Sequence, residues 1–252
     1  MIYIAVCFFI FGTIFGSFYN VVGYRIPKGE SILYPGSHCT KCGHELKAYE
    51  LVPILSFLFL GGKCKKCGDK ISWFYPIFEF LSGILFMISY LVFGLSLDCL
   101  LSILFISMLL IVIISDYQTM TIPDSVLLVF SILIIITKFF IGGLSLVLYS
   151  LLYGLISFII MFLIKKLGDL IFKRESMGGG DIKLLGVFGI VLGVPLSLVS
   201  IFLASIIGLP ISLISLKHNP THEIPFGPYL SVAAIIIFLS QIDINTIVNI
   251  LS

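Results

Sequence analysis

Charge is scarce in this chain. Asp, Glu, Lys and Arg make up 11% of the 252 residues, whereas 59% are hydrophobic and the mean hydropathy is +1.19. A soluble globular domain carries about a quarter charged residues. That class is excluded, and a lipid bilayer is the solvent to reason with. The basic start of a secretory signal is also missing: residues 1–22 run on without a small-residue cleavage site into "VVGYRIPKG". This first run is expected to be a retained transmembrane helix. No internal repeat or low-complexity linker is present. The chain also lacks a G-x-x-x-x-G-K-[ST] phosphate loop, a strand-to-helix G-x-G-x-x-G and an HExxH zinc site near His222 and Glu223. No nucleic-acid partner is expected.

What the chain does have is a series of apolar runs. A transmembrane helix needs roughly 20 mostly apolar residues, which places spans near 2–22, 75–94, 98–115, 125–141, 146–164, 182–194, 196–216 and 228–249. The expected fold is an all-α polytopic membrane protein with about eight transmembrane helices. It divides into a first helix (1–22), a cytoplasmic zinc-binding loop domain (23–74) and a transmembrane core (75–252). Pro195 is expected to break the sixth span from the seventh. Fourteen of the fifteen Lys and Arg residues fall in loops 23–74 and 165–183 or at Lys217, with only Lys138 toward the other face. By the positive-inside rule these loops face the cytoplasm and both termini lie outside.

The first cytoplasmic loop carries "CTKC" and "CKKC", that is Cys39, Cys42, Cys64 and Cys67, with twenty-one residues between the pairs. Two CxxC knuckles have the ligand count of a closed, structural zinc site. Gly43 and Gly68 follow the knuckles and let the backbone turn beneath the sulfurs. A cytoplasmic loop is reducing, which disfavours disulfides, although a redox pair is the other use of CxxC. So short a loop has little core, and metal binding would contribute its folding energy. His38 and His44 flank the first knuckle as solvated loop residues. Cys7 and Cys99, isolated in apolar runs, read as small hydrophobes.

Ionisable residues beside a transmembrane segment point to function. Glu79, Asp116, Asp124 and Asp181 are so placed on the cytoplasmic side, while Asp98 and Asp243 look like helix-end residues near the other face. Asp124 follows Pro123 at the start of a span, where a helix dipole favours negative charge. Asp116 sits at the C-terminal end of its helix, where the dipole disfavours it. Asp181 follows Gly178, Gly179 and Gly180 at the start of the sixth span, where an N-cap is one reading. The glycines exceed what a cap needs and invite close backbone approach. Asp116 and Asp181 on two helices could also share one proton and one water, the arrangement that hydrolyses an amide without metal or covalent intermediate. From the residues alone, capping and pairing both remain open. Lys183 reads as an interface anchor or a modulator of Asp181.

Six ordered segments resemble those of one family. They are "GSFYNVVGYRIP" (16–27), the two CxxC pairs, "YPIFE" (75–79), "DYQTMTIPD" (116–124), "GGGDIKLL" (178–185) and "IPFGPYL" (224–230). Together they are similar to type IV prepilin peptidases, bifunctional aspartic endopeptidases and N-methyltransferases of bacterial membranes. The glycine before Asp181 also fits the wider GxGD membrane aspartic proteases. The resemblance implies that Asp116 and Asp181 form the catalytic dyad. It implies a substrate prepilin or pseudopilin, of a pilus, type II secretion or competence system, cleaved after a glycine on the cytoplasmic face of the inner membrane. The short leader is basic; Glu30, Glu45, Glu50, Asp69 and Glu175 are the acidic residues available to it. S-adenosylmethionine is the implied methyl donor for the new N-terminal amine. By motif position Gly16, Asn20, Arg25 and Glu79 are candidates for that cofactor, with helix packing, helix ending and buried pairing as their plainer roles. Gly178, Gly179, Gly180 and Lys183 are candidates for substrate contact. A proton-coupled transporter using membrane-edge carboxylates, or a membrane anchor with a recruiting zinc loop, are the competing functions.

Overall fold

The structure is a computed structural model that describes residues 1–173, 175, 177–218 and 224–242. Arg174, His222, Glu223, Asp243, the side chain of Lys217 and the end of the expected last span lie outside the described residues. Regular structure among the described residues is helical, apart from two isolated β-bridges. The chain forms two compact units, one from Met1 to Leu95 and one from Ser96 onward.

The first unit contains α1 (Ile2–Arg25), the short α2 (Leu55–Phe59) and α3 (Phe74–Phe93). Small residues let α1 and α3 approach closely. A Cβ on Gly12 would stand 2.6 Å from the Ser82 carbonyl oxygen, and one on Gly16 2.9 Å from Glu79 Cα. Glycines four apart on one helix face are the G-x-x-x-G contact typical of packed membrane helices. Phe8 stacks on Tyr90 at 4.9 Å beside this seam.

The second unit contains α4 (Leu97–Thr119), α5 (Asp124–Phe172), α6 (Gly179–Leu192), α7 (Val194–His218) and α8 (Gly227–Leu239). Ser96 caps α4, its hydroxyl accepting the Cys99 N–H at 3.1 Å. Every residue of α4 from Phe105 to Asp116 is buried, against α5 and α8. The helix α6 lies along α5, and Ser157 of α5 bonds Ser197 of α7 at 2.9 Å.

Among the described residues, five helices are long and apolar enough to cross a membrane: those at Ile2–Lys28, Phe74–Phe93, Leu97–Thr119, Asp124–Phe172 and Val194–Ile214. That this count is smaller than the expected eight has local reasons. The 49 residues of α5 are two helices that meet at a break at Gly142 and Gly143, whose non-helical dihedrals fall between the expected fourth and fifth spans, so one counted helix holds both. Its second part continues to Phe172, so Lys165 and Lys166 lie on helix rather than in a loop; Lys173, at φ 52°, ends it. With 14 residues α6 is about 21 Å long, short of a hydrocarbon core of roughly 30 Å. The described part of α8 ends at Leu239. Gly193 (φ 81°), not Pro195, breaks α6 from α7. Pro195 sits in the first turn of α7, where its missing N–H is no loss.

Candidate active site and metal centre

Asp116 lies in the last turn of α4 and is buried. Its Oδ2 accepts the Gly227 N–H at 3.0 Å. Gly227 is the first residue of α8, so the positive end of that helix meets the carboxylate that the end of α4 disfavours. A Cβ on Gly227 would stand 2.7 Å from the same oxygen, and only glycine permits the approach. After α4 the chain folds back through Met120 (φ 54°), with the Ser115 hydroxyl donating to the Thr121 carbonyl at 2.6 Å. This turn sets Ile122 between two glycines. Its Cβ would be 2.9 Å from a Cβ on Gly180, and its Cδ1 3.2 Å from one on Gly227.

Asp181 is the third residue of α6 and is also buried. The N-cap is Gly178, with backbone angles typical of a cap. Asp181 is therefore a first-turn residue rather than the cap, and its Oδ2 would lie 3.6 Å from a Cβ on Gly178. Ile122 lies against both Gly180, the neighbour of Asp181, and Gly227, which holds Asp116. The two expected site aspartates thus occupy one polar spot, bounded by Ile122, Gly180 and Gly227. The three glycines separate in role: Gly180 makes room for Ile122, whereas a Cβ on Gly179 would meet nothing within 4 Å. Lys183 reaches Asp124 rather than Asp181, with Nζ 2.7 Å from both carboxylate oxygens. Asp124 is the first residue of α5 after its Pro123 cap, so the pair ties the starts of α5 and α6 together.

In the first unit the four cysteines converge, their sulfurs all within 4.8 Å of one another. Cys39 and Cys67 are 3.8 Å apart, and Cys42 and Cys64 3.9 Å. A tetrahedral site with metal–sulfur bonds of about 2.3 Å has sulfur–sulfur edges of about 3.8 Å. The two knuckles are built alike. The N–H of Gly43 donates to Cys39 O and that of Gly68 to Cys64 O, both at 2.9 Å, with the glycines at φ 67° and 72°. Backbone N–H groups of Cys42 and Lys41 draw the Cys39 thiol down to about 6. Cys67, in spite of the Asp69 N–H, is pushed up to about 12 by burial and its three thiol neighbours. A bound cation is what allows all four to ionise together. His38 contacts the Gly36 carbonyl and His44 lies 3.4 Å from Glu50, so neither joins the cluster. Glu50 is buried, its carboxylate accepting the Lys47 N–H, and Asp69 pairs with Lys41. Of the acidic residues expected to meet a basic leader, these two are thus engaged within the loop, while Glu30, Glu45 and Glu175 are exposed.

The remaining candidates lie in the first unit, mostly in structural contacts. Gly16 packs on Glu79. Arg25 donates to the carbonyls of Ser31, Pro35 and Gly36 and holds the loop after α1. Glu79 is buried, with Oε2 accepting the Ile54 N–H at 2.7 Å and the Ser17 hydroxyl beside it. Asn20 donates weakly to Tyr75 O at 3.4 Å, and its buried Oδ1 has no partner. Gly227 and Ile122 lie inside the segments "IPFGPYL" and "DYQTMTIPD", but nothing local marks them as site residues beyond the Gly-Pro pair that opens a helix.

Residues 10–93 match the bacterial peptidase A24 N-terminal domain, and residues 103–213 match the type IV leader peptidase family. A prepilin leader peptidase/N-methyltransferase of Bacillus subtilis (strain 168) is 36% identical over 234 residues, covering 92% of each chain. Proteins of the same name from Neisseria gonorrhoeae and Pseudomonas putida are 31% and 29% identical, covering 95% and 89% of this chain and 92% and 86% of their own. No solved structure matches. With both halves matched in order and similarity running through nearly the whole length, the chain belongs to the type IV leader peptidase family.

Proposed function

We propose that this protein cleaves the leader of prepilins or pseudopilins after a glycine, at the cytoplasmic face of the bacterial inner membrane, and N-methylates the new amino terminus. The observation that carries the peptidase reading is the buried Asp116 carboxylate, held by the first N–H of α8, with Ile122 packed between that glycine and the Gly180 that precedes Asp181. The Gly227 bond suits an ionised Asp116, which draws a proton from water. Asp181 carries the shared proton and donates it to the substrate carbonyl oxygen as the hydroxide adds. Collapse of the tetrahedral adduct returns a proton to the leaving nitrogen and breaks the C–N bond, leaving a carboxylate and a free amine. The open Cα position of Gly179, two residues before Asp181, gives an extended substrate backbone room beside that carboxylate.

The four-cysteine cluster is read as a structural zinc site, closed by four thiolates and without an open position. S-adenosylmethionine would supply the methyl group to the amine released by cleavage. Nothing in the site or in the relatives' names favours the transporter. Incubating the purified protein in lipid with a synthetic prepilin and labelled S-adenosylmethionine tests both activities. Asp116→Asn and Asp181→Asn are each expected to abolish cleavage with metal content unchanged. Normal processing by either variant would end the dyad reading.

A further inference from the structure

The longest stretch without Asp, Glu, Lys or Arg in the basic cysteine loop is "LVPILSFLFLGG" at residues 51–62, and α2 lies within it. A run of this length is too short to span a bilayer and suits an interfacial segment. The inner side of α2 is Phe57, buried edge-on against Trp73 at 4.7 Å and over Gly62. Its outer side is apolar yet open: Leu55 is 51% exposed, Leu58 59% and Phe59 84%.

The start of α2 is tied to α3. Ile54, the residue that begins α2, donates its N–H to Glu79. Glu79 is the sixth residue of α3, about 8 Å along the axis from Phe74 at 1.5 Å per residue. Helical side chains lean toward the N-terminus, so Ile54 stands level with the first two turns of a helix long and apolar enough to cross the membrane. Ile54 takes φ 62°, which a β-branched residue adopts only when neighbours hold it there. The Glu79 carboxylate is that hold. Trp73, 64% exposed at the head of α3, belongs to the residue type that marks the membrane–water boundary.

We propose that residues 51–62 form an interfacial foot. The Leu55, Leu58 and Phe59 face would lie in the headgroup and upper acyl region of the cytoplasmic leaflet, with the phospholipid bilayer as its partner. The cysteine cluster is then seated on the membrane surface rather than carried free in the cytosol. This inference rests on α3 crossing the bilayer and on the orientation proposed above, and not on the aspartate chemistry.

Trp73 is the only tryptophan, which makes a direct test available. The full chain carrying Trp73→Phe and Phe59→Trp is reconstituted in phosphatidylcholine nanodiscs, with and without bromine on the upper acyl carbons. A parallel protein carries Leu58→Trp in place of Phe59→Trp, and retained metal content identifies folded variants. Bromolipid is expected to remove the larger part of the emission, as for Trp73 in the parent protein, while aqueous iodide removes little. Strong iodide quenching with no bromolipid effect would place α2 in water and overturn the proposal. Protection from both quenchers would mean that protein covers the face, and would overturn it as well.

Discussion

Replacing Gly227 by alanine tests how Asp116 is positioned without touching either aspartate. The added Cβ would stand 2.7 Å from Asp116 Oδ2, and 3.2 Å from both Asp116 Cγ and Ile122 Cδ1. Both aspartate atoms belong to a short side chain in the buried end of α4, so the carboxylate must turn away. Turning breaks the 3.0 Å bond from the Gly227 N–H. A hydrogen bond to a charged group contributes about 1.5–3 kcal/mol. If that amount is lost from the transition state, with a tenfold rate change per about 1.36 kcal/mol, kcat/KM should fall about 10- to 150-fold. The assay is leader cleavage of a prepilin in proteoliposomes at substrate concentrations below KM. Thermal unfolding and metal content serve as controls, since Gly227 is far in sequence from the cysteine loop. Cleavage within about twofold of the parent, in a folded protein, would refute the positioning role (a factor of two is under 0.5 kcal/mol).

Further outcomes follow from the other contacts. Cys39→Ser, or treatment with a strong chelator, should lower bound metal and the stability of the first unit; unchanged metal stoichiometry in the serine variant would contradict a four-thiolate site. A double-mutant cycle on Asp124→Asn and Lys183→Met should give a coupling of about 0.2–1 kcal/mol that shrinks with salt, because both groups are half or more exposed. Zero coupling at low salt would remove the clasp between the starts of α5 and α6. The Glu50 carboxyl is held below its usual range, first by the Lys47 N–H and also by His44. Its contribution to the loop is therefore present above the ordinary carboxylate pKa and lost as pH falls through the lower folded value. Acid unfolding of the loop, followed by metal release, should show a weaker pH dependence of stability in Glu50→Gln. The same pH dependence as in the parent would refute the assignment.

Composition and local spacing by themselves determined the membrane class, the cysteine tetrad and the pool of membrane-edge aspartates. These properties reside in short windows: an apolar run, a CxxC, a carboxylate at a helix end. The glycines after the knuckles were readable for the same reason, since a tight turn within five residues demands positive φ. What stabilises Asp116 was not readable, because its donor lies 111 residues away on Gly227 and meets it only when α8 packs on α4. Nor could the sequence divide the labour among Gly178, Gly179 and Gly180, which look alike in a row and differ in what lies against them: the Asp181 carboxylate, open space and Ile122. Lys183 had two local readings, and packing gave it a third partner 59 residues away, Asp124. Ile54 showed no signal of the left-handed turn that Glu79 holds. Hydrogen bonds and close approaches between distant segments depend on how helices pack, and only the tertiary structure decides that.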